Sequence, residues 1–404
     1  MKILNLRKLG PGLLFAGAAI GVSHLVQSTK AGADFGFGLL WALVISIILK
    51  YPFFQFGSRF ALATKMSLLD GYYKLGKIYL LIFFILSIGT MFTIQTAVTI
   101  VTASLATTIL GYSQNLIILS TLIILLCFII LLFGNYKLLD RLIKIIILAL
   151  TTSTIVALII AAIKTRNSLD FTQVFPYKTS VIFLAALIGW MPAPLDISVW
   201  QSLWILEKKK SNTISFGEGL FDFNIGYFGT FILGICFLSL GALVMYGSGI
   251  GFSEVGSIFA GQFIELYTST LGESFYPIIV IAAFTTMFST TLTTLDASPR
   301  SMYKSSQLLF PYTTKLDYKF WLITLSIGTI CIFSFLLDEM GTLVQIATVL
   351  SFVTAPFYAY LNLRLVTSDL MPSKYKPSKV LINFSYVGLI FLTLFALVFV
   401  KIIL

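Results

Sequence analysis

Val181–Leu206, VIFLAALIGWMPAPLDISVWQSLWIL, is apolar and long enough to cross a bilayer, yet Trp190-Met191-Pro192-Ala193-Pro194 interrupts it at mid-depth. Pro192 and Pro194 each lack an amide donor and clash with the preceding turn, which frees carbonyls near Ile188 and Gly189. Backbone that leaves a helix in hydrocarbon is tolerated only where it is buried in protein or lines a cavity. Closer to the N-terminus, Leu13–Gln27, LLFAGAAIGVSHLVQ, is interrupted by Gly21-Val22-Ser23-His24. There Gly21 lowers helix propensity, while Ser23 and His24 compete for backbone hydrogen bonds. A kink that serves packing is the alternative for either break. Two breaks in corresponding places of two chain halves predict a substrate site between the repeats of a secondary transporter.

The rest of the chain sets these breaks in a membrane protein. Of 404 residues, 58% are hydrophobic and 11% charged, and the mean hydropathy is +0.98. Eleven apolar runs approach the span length of about 20 residues: Pro11–Ser28, Phe37–Ala63, Tyr79–Leu110, Leu116–Phe133, Ile143–Ile163, Val181–Leu206, Leu220–Tyr246, Tyr276–Leu295, Phe320–Leu337, Leu343–Leu363 and Leu381–Ile403. They are continuous rather than alternating, which excludes a β-barrel. The apolar segment after Lys8 is followed by Lys30 and Asp34 rather than a small-residue cleavage site, and is read as a retained span. Cys127, Cys236 and Cys331 lie inside apolar runs without metal or pairing spacing.

A net charge of +11 suggests nucleic acid until its placement is followed. With a cytoplasmic N-terminus, inner segments hold Lys2, Arg7 and Lys8, then Arg59, Lys65, Lys74 and Lys77, then Lys137, Arg141 and Lys144. Later inner segments hold Lys208–Lys210, Arg300, Lys304, Lys315, Lys319, Lys374, Lys376 and Lys379. The outer segments hold only Lys30, Lys164, Arg166, Lys178 and Lys401. Cytoplasmic loops carry such an excess because basic residues resist translocation. The expectation is therefore a multi-pass protein of the plasma (cell inner) membrane, N-terminus inside and C-terminus outside, whose partners are lipid and a transported ion or small solute. No nucleic acid and no cofactor are expected; a monomer is compatible with the sequence.

This alternation makes a single transmembrane domain, 1–404, of two inverted five-helix repeats, 10–163 and 179–366, plus an eleventh helix, 380–404. Within the outer loop Gly247–Phe275, the mildly amphipathic stretch Val255–Tyr267 is expected to lie on the outer surface, as a gate or as a loop cap.

The sequence holds one histidine, His24, and it falls in the first break. Intramembrane ionisable groups are candidates for function by default, and an imidazole can carry a coupled proton or ligate a metal. A neutral ring bonded to an unwound carbonyl is the alternative. Asp196, two residues past the second break, is a natural partner or counter-charge for His24, or else an acceptor for nearby backbone and hydroxyl donors. Span three carries Thr93, Thr96, Thr99 and Thr102 beside Gln95, and span eight carries Thr285, Thr286, Ser289, Thr290, Thr291, Thr293 and Thr294. Helix packing explains most such hydroxyls. Ser289 and Thr290, set beside carbonyls freed in span one, would also form an oxygen cage for a hard cation such as sodium. Asp296, with Ser298, Pro299 and Arg300, lies where span eight meets the cytoplasm, as an inner-gate charge or a cap.

At Gly10-Pro11, Ala31-Gly32-Ala33, Gly36-Phe37-Gly38-Leu39-Leu40-Trp41 and Met191-Pro192 the chain resembles the natural resistance-associated macrophage protein (NRAMP) family of divalent metal-ion transporters. The resemblance implies an all-α, leucine-transporter-like fold with helices one and six broken and the site between them. It also implies where this divergent, bacterial-type chain departs. The family's Asp-Pro-Gly-Asn aligns with Gly21-Val22-Ser23-His24, so the metal-binding aspartate is missing. Met191 keeps the thioether ligand, Ala193 replaces the histidine of the Met-Pro-His motif, and Thr348 replaces a glutamine ligand of helix ten. The acidic proton-pathway residue of helix three has no counterpart. A thioether and an imidazole still suit a transition metal.

The leading expectation is a proton-coupled divalent metal importer working by alternating access. Its altered site comprises Gly21, Ser23, His24, Ile188, Met191, Asp196 and Thr348, with His24 and Met191 as metal ligands and His24 and Asp196 as proton-coupling groups. The alternative is a sodium- or proton-coupled carrier of a small organic solute such as an amino acid, walled by Trp190, with sodium at Ser289 and Thr290. A non-transporting sensor or scaffold finds no appended domain to support it. No nucleophile–base pair or hydrolase motif supports an enzyme.

Overall fold

The computed structural model describes residues 10–110, 115–133, 136–164, 171–175, 181–211, 214–247, 253, 256–313, 315–336 and 340–403, and every regular element among them is helical. Helix α1, Pro11–Ala19, opens with its proline in the first turn, where a missing amide costs nothing. The chain turns through Ile20–Val22, resumes as a π-helical segment Ser23–Ser28 and continues into α2, Thr29–Phe35. The two arms are bent by 49°. The break thus falls slightly earlier than the sequence suggests, with His24 already back in helix. Helices α3 (Leu40–Thr64), α4 (Leu68–Leu75), α5 (Lys77–Leu110), α6 (Leu116–Phe133) and α7 (Tyr136–Lys164) follow.

The second broken segment pairs α8, Val181–Trp190, with α9, Ile197–Ser211. Residues 191–196 between them are non-helical, as the two prolines require. Then come α10 (Phe216–Val244), α11 (Gly256–Leu271), α12 (Tyr276–Leu309), α13 (Tyr318–Leu336), α14 (Met340–Thr367) and α15 (Lys379–Ile403). Among the described residues nine helices are long and apolar enough to cross a membrane, and the bent pair makes a tenth; α8, at 10 residues, is apolar but short.

Apolar surface faces outward. Val387, Ile390, Leu394 and Leu397 make an exposed stripe at helical spacing on α15, and Ile118, Leu122, Leu125 and Ile129 do the same on α6. Polar groups turn inward: Gln95, Thr99 and Thr102 of α5 are buried against α12, where Thr102 pairs with Thr291 (2.8 Å) and Gln95 donates to the Thr291 carbonyl (3.3 Å). Most of the threonine tract otherwise bonds its own helix, as packing predicts.

Val255 lies outside the described residues, and the rest of the stretch Val255–Tyr267 falls in α11, which buries Ala260, Phe263, Ile264 and Tyr267 on one face and exposes Ile258, Gly261 and Glu265 on the other. The buried positions share one helical face, and Tyr267 meets Thr154 of α7 at 3.3 Å. The stripe therefore finds apolar protein to cover it.

Candidate functional site

At the first break the hydrogen-bond ladder is re-routed. Ile20 donates to the Ala16 carbonyl (2.7 Å), Gly21 to Ala19 (3.0 Å), and His24 and Leu25 both to Gly21 (3.1 and 2.9 Å). None of these bonds falls on the carbonyls of Gly17 and Ile20. Thr290 of α12 supplies the donor instead: its Oγ1 lies 3.1 Å from the Gly17 oxygen and 3.2 Å from that of Ile20, as well as 3.2 Å from Thr286 of its own helix. One hydroxyl proton thus serves three carbonyls. The approach depends on Gly21, where a Cβ would stand 2.8 Å from the Thr290 side chain. Ser289, beside Thr290, is buried and its Oγ has no partner.

His24 is fully buried and points toward α10. Its Nε2 lies 3.0 Å from the Thr230 carbonyl, which only accepts, so Nε2 carries the hydrogen. Nδ1 lies 2.8 Å from Ser23 Oγ and 3.1 Å from the Ala19 carbonyl. Ser23 Oγ also donates to the Ala19 carbonyl (2.7 Å), so its one proton is shared between that oxygen and Nδ1, and a second proton on Nδ1 would find the Ala19 oxygen in place. Met191 Sδ accepts from Ser28 Oγ at 3.4 Å. The start of α1 is fixed by Asp222 of α10, whose carboxylate accepts from the amides of Gly10 (2.9 Å) and Gly12 (2.8 Å).

At the second break the freed carbonyls are already taken. Lys50, fully buried on α3, donates to Ile188 (2.6 Å), Gly189 (2.7 Å) and Met191 (3.0 Å). Ser46, one turn earlier, donates to Met191 (2.7 Å) and Ile188 (3.3 Å). The rule that singled out His24, that an ionisable group at span depth is functional until shown otherwise, applies equally to Lys50 and would have found it. Asp222 carries the same signal.

Between the breaks lies a cavity of about 30 Å³, room for one or two waters or a small ion. Gly21, Ser23 and Thr290 line it with Ala19, Val98 and Thr294, and Trp190 and Trp200 wall it. Asp196 lines a separate space of about 10 Å³ with Ser87, Thr90, Ser298 and Ser301. Its Oδ1 is buried without a partner. It does not pair with His24, whose ring partners are Ser23, Ala19 and Thr230. The cause is the course of the chain after Pro194, which turns Asp196 toward α5 and α12. Thr348 is buried on α14, close against α8: a Cβ on Gly189 would lie 2.9 Å from its carbonyl oxygen. Asp296 makes an ion pair with Arg300 (2.7 Å) and accepts from Tyr318 (2.9 Å). Among the described residues no three His, Cys, Asp or Glu side chains gather as a metal cluster.

The profile of the family described as natural resistance-associated macrophage protein-like matches residues 12–401. The chain belongs to that family. An uncharacterised protein of Pasteurella multocida is 37% identical to this NRAMP-family chain over 401 residues, covering 97% of this chain and 91% of the other. A mutant of the Eremococcus coleocola manganese transporter has a similar fold, with a TM-score of 0.73 at 16% identity over 96% of this chain and 85% of that one. Mhp1, a nucleobase-cation-symport-1 family transporter crystallised closed with bromovinylhydantoin, matches with a TM-score of 0.58 at 14% identity over 98% and 92%. These likenesses establish an all-α, multi-span fold shared with those two transporters, with a bent first helix. The NRAMP-family protein is a multi-pass, secondary-active transporter that works by alternating access, and not an enzyme.

Proposed function

We propose that this transporter carries a metal cation seated on neutral oxygens where the break after α1 meets α12. The observation that carries this reading is the Thr290 hydroxyl shared between the Gly17 and Ile20 carbonyls at the edge of the cavity. Carbonyl and hydroxyl oxygens suit hard cations. The cavity lining contains no carboxylate, so the dehydration cost of an ion, which grows with the square of its charge, is offset best for a single charge. A divalent ion has family membership and the Met191 thioether, which accepts from Ser28, in its favour, and would need His24 Nε2 released from Thr230. The indole walls Trp190 and Trp200 favour a second reading, in which the cation is the coupling ion and the cargo a small organic solute.

In either case 10–163 and 179–366 act as inverted repeats around the site, 380–404 is added to them, and the N-terminus is cytoplasmic in the plasma membrane. His24, whose Nδ1 already faces a carbonyl, is the group to carry a coupled proton. His24→Ala is expected to abolish uptake while membrane assembly persists; unchanged uptake in vesicles removes histidine from the mechanism. A thermal-unfolding panel with Na⁺, Mn²⁺, Mg²⁺ and amino acids identifies the cargo class, because a ligand that binds the folded state and not the unfolded one raises stability with the logarithm of its concentration over Kd. The expected result is stabilisation by Na⁺ that Thr290→Val removes. A response to Mn²⁺ alone, unaffected by Thr290→Val, overturns the oxygen seat.

A further inference from the structure

The Lys50 ammonium is held in an unusual way. It is fully buried at mid-depth of α3, and its bonds go to three backbone carbonyls rather than to a carboxylate. Its three N–H donors match those three acceptors one for one. The carbonyls are the C-terminal pole of α8, where unpaired oxygens and the helix dipole concentrate negative potential. The acids of the neighbouring elements lie elsewhere: Asp222 caps α1, and Asp196 lines a separate space with Ser87, Thr90, Ser298 and Ser301. An ammonium with three carbonyls at 2.6–3.0 Å reproduces the coordination of a partly dehydrated monovalent cation.

We infer that Lys50 is a tethered cation: it fills a cation subsite at the end of α8 and so sets which ions the carrier admits. An ion approaching the Ile188, Gly189 and Met191 carbonyls meets a positive charge already in contact with them, and a divalent ion is repelled twice as strongly as a monovalent one. The subsite is distinct from the oxygens around Thr290, so this inference does not require the cargo reading given above.

The test uses the purified full chain as wild type, Lys50→Ala, Lys50→Gln and Lys50→Arg, unfolded thermally in NaCl, MnCl₂, methylammonium chloride or choline chloride at matched ionic strength. Lys50→Ala should unfold about 5–10 °C below wild type, because three buried acceptors lose their charged donor and the one Ser46 proton reaches only Ile188 and Met191. Methylammonium, small enough to replace the lost ammonium, should restore at least half of that shift, and choline, too large to enter, none. Lys50→Gln keeps a donor without the charge. It should respond to Na⁺ or Mn²⁺ at a concentration at least about tenfold below that needed by wild type, a gain of about 1.4 kcal/mol in binding. Lys50→Arg, which keeps the charge, should show no such gain.

Lys50→Ala that unfolds with wild type, or that ignores methylammonium, overturns the inference. So does a Lys50→Gln protein with the wild-type ion response, since that outcome assigns Lys50 a structural role only. If Lys50→Ala does not assemble, Lys50→Gln decides alone. Repeating the Lys50→Gln series in a Thr290→Val background separates the two subsites: the new response persists there whether or not the oxygen seat near Thr290 is the cargo site.

Discussion

The two breaks begin from the same defect, a half-helix ending in unpaired carbonyls at the middle of a membrane protein, and are satisfied in opposite ways. After α1 the freed oxygens of Gly17 and Ile20 share one neutral hydroxyl, that of Thr290. After α8 the freed oxygens of Ile188, Gly189 and Met191 receive a full ammonium and a serine hydroxyl as well. A hydroxyl can turn away when an ion arrives, whereas a charged group with all its donors used cannot leave cheaply. The first break is therefore suited to exchange, and the second to being permanently occupied.

The largest expected effect is at the occupied break. Lys50→Met should cost about 3–5 kcal/mol, because three buried carbonyls lose their charged donor and the single Ser46 proton is left to serve only two of them; thermal unfolding in detergent measures it, and a neutral result would erase the contrast. Next is Gly21→Ala, whose added methyl meets Thr290 at 2.8 Å. Overpacking there should cost about 1–3 kcal/mol, and separating α12 from the break should lower vesicle uptake more than it lowers stability. Thr290→Val preserves shape and removes the shared proton. It should cost about 1–2 kcal/mol and erase the sodium response, sharpening the comparison by showing which break exchanges an ion. The smallest effect belongs outside both breaks: Asp296→Asn weakens a pair whose Arg300 side chain is 33% exposed. A loss of about 0.5–1 kcal/mol is expected, with uptake retained if this pair is a brace rather than a gate.

Both breaks were legible because proline and glycine act locally. The prolines after Met191 stop a helix whatever packs around them, and α8 does end at Trp190. The meeting of Thr290 with freed carbonyls of the first span was also readable, from a hydroxyl tract in one segment and a break in another; Ser289, expected beside it, makes no such contact. That His24 and Asp196 do not pair was not readable. Both lie near breaks, but nearness in depth does not specify direction, and the turn after Pro194 sends the carboxylate toward α5 and α12. Lys50 was overlooked because it was one basic residue among many, and its meaning lies in what faces it.

Composition and the spacing of helix breakers were enough to establish a multi-span transporter with two interrupted helices, since hydrocarbon demands internally satisfied backbone and only a few residue types prevent it. Which side chain answers each orphaned carbonyl depended on distant segments, α3 against α8 and α12 against α1, brought together by packing. A hydrogen bond forms over about 3 Å and between defined directions, and residue order alone carries neither quantity. The electrostatic character of the two breaks, one neutral and one filled by a lysine, therefore became visible only in three dimensions.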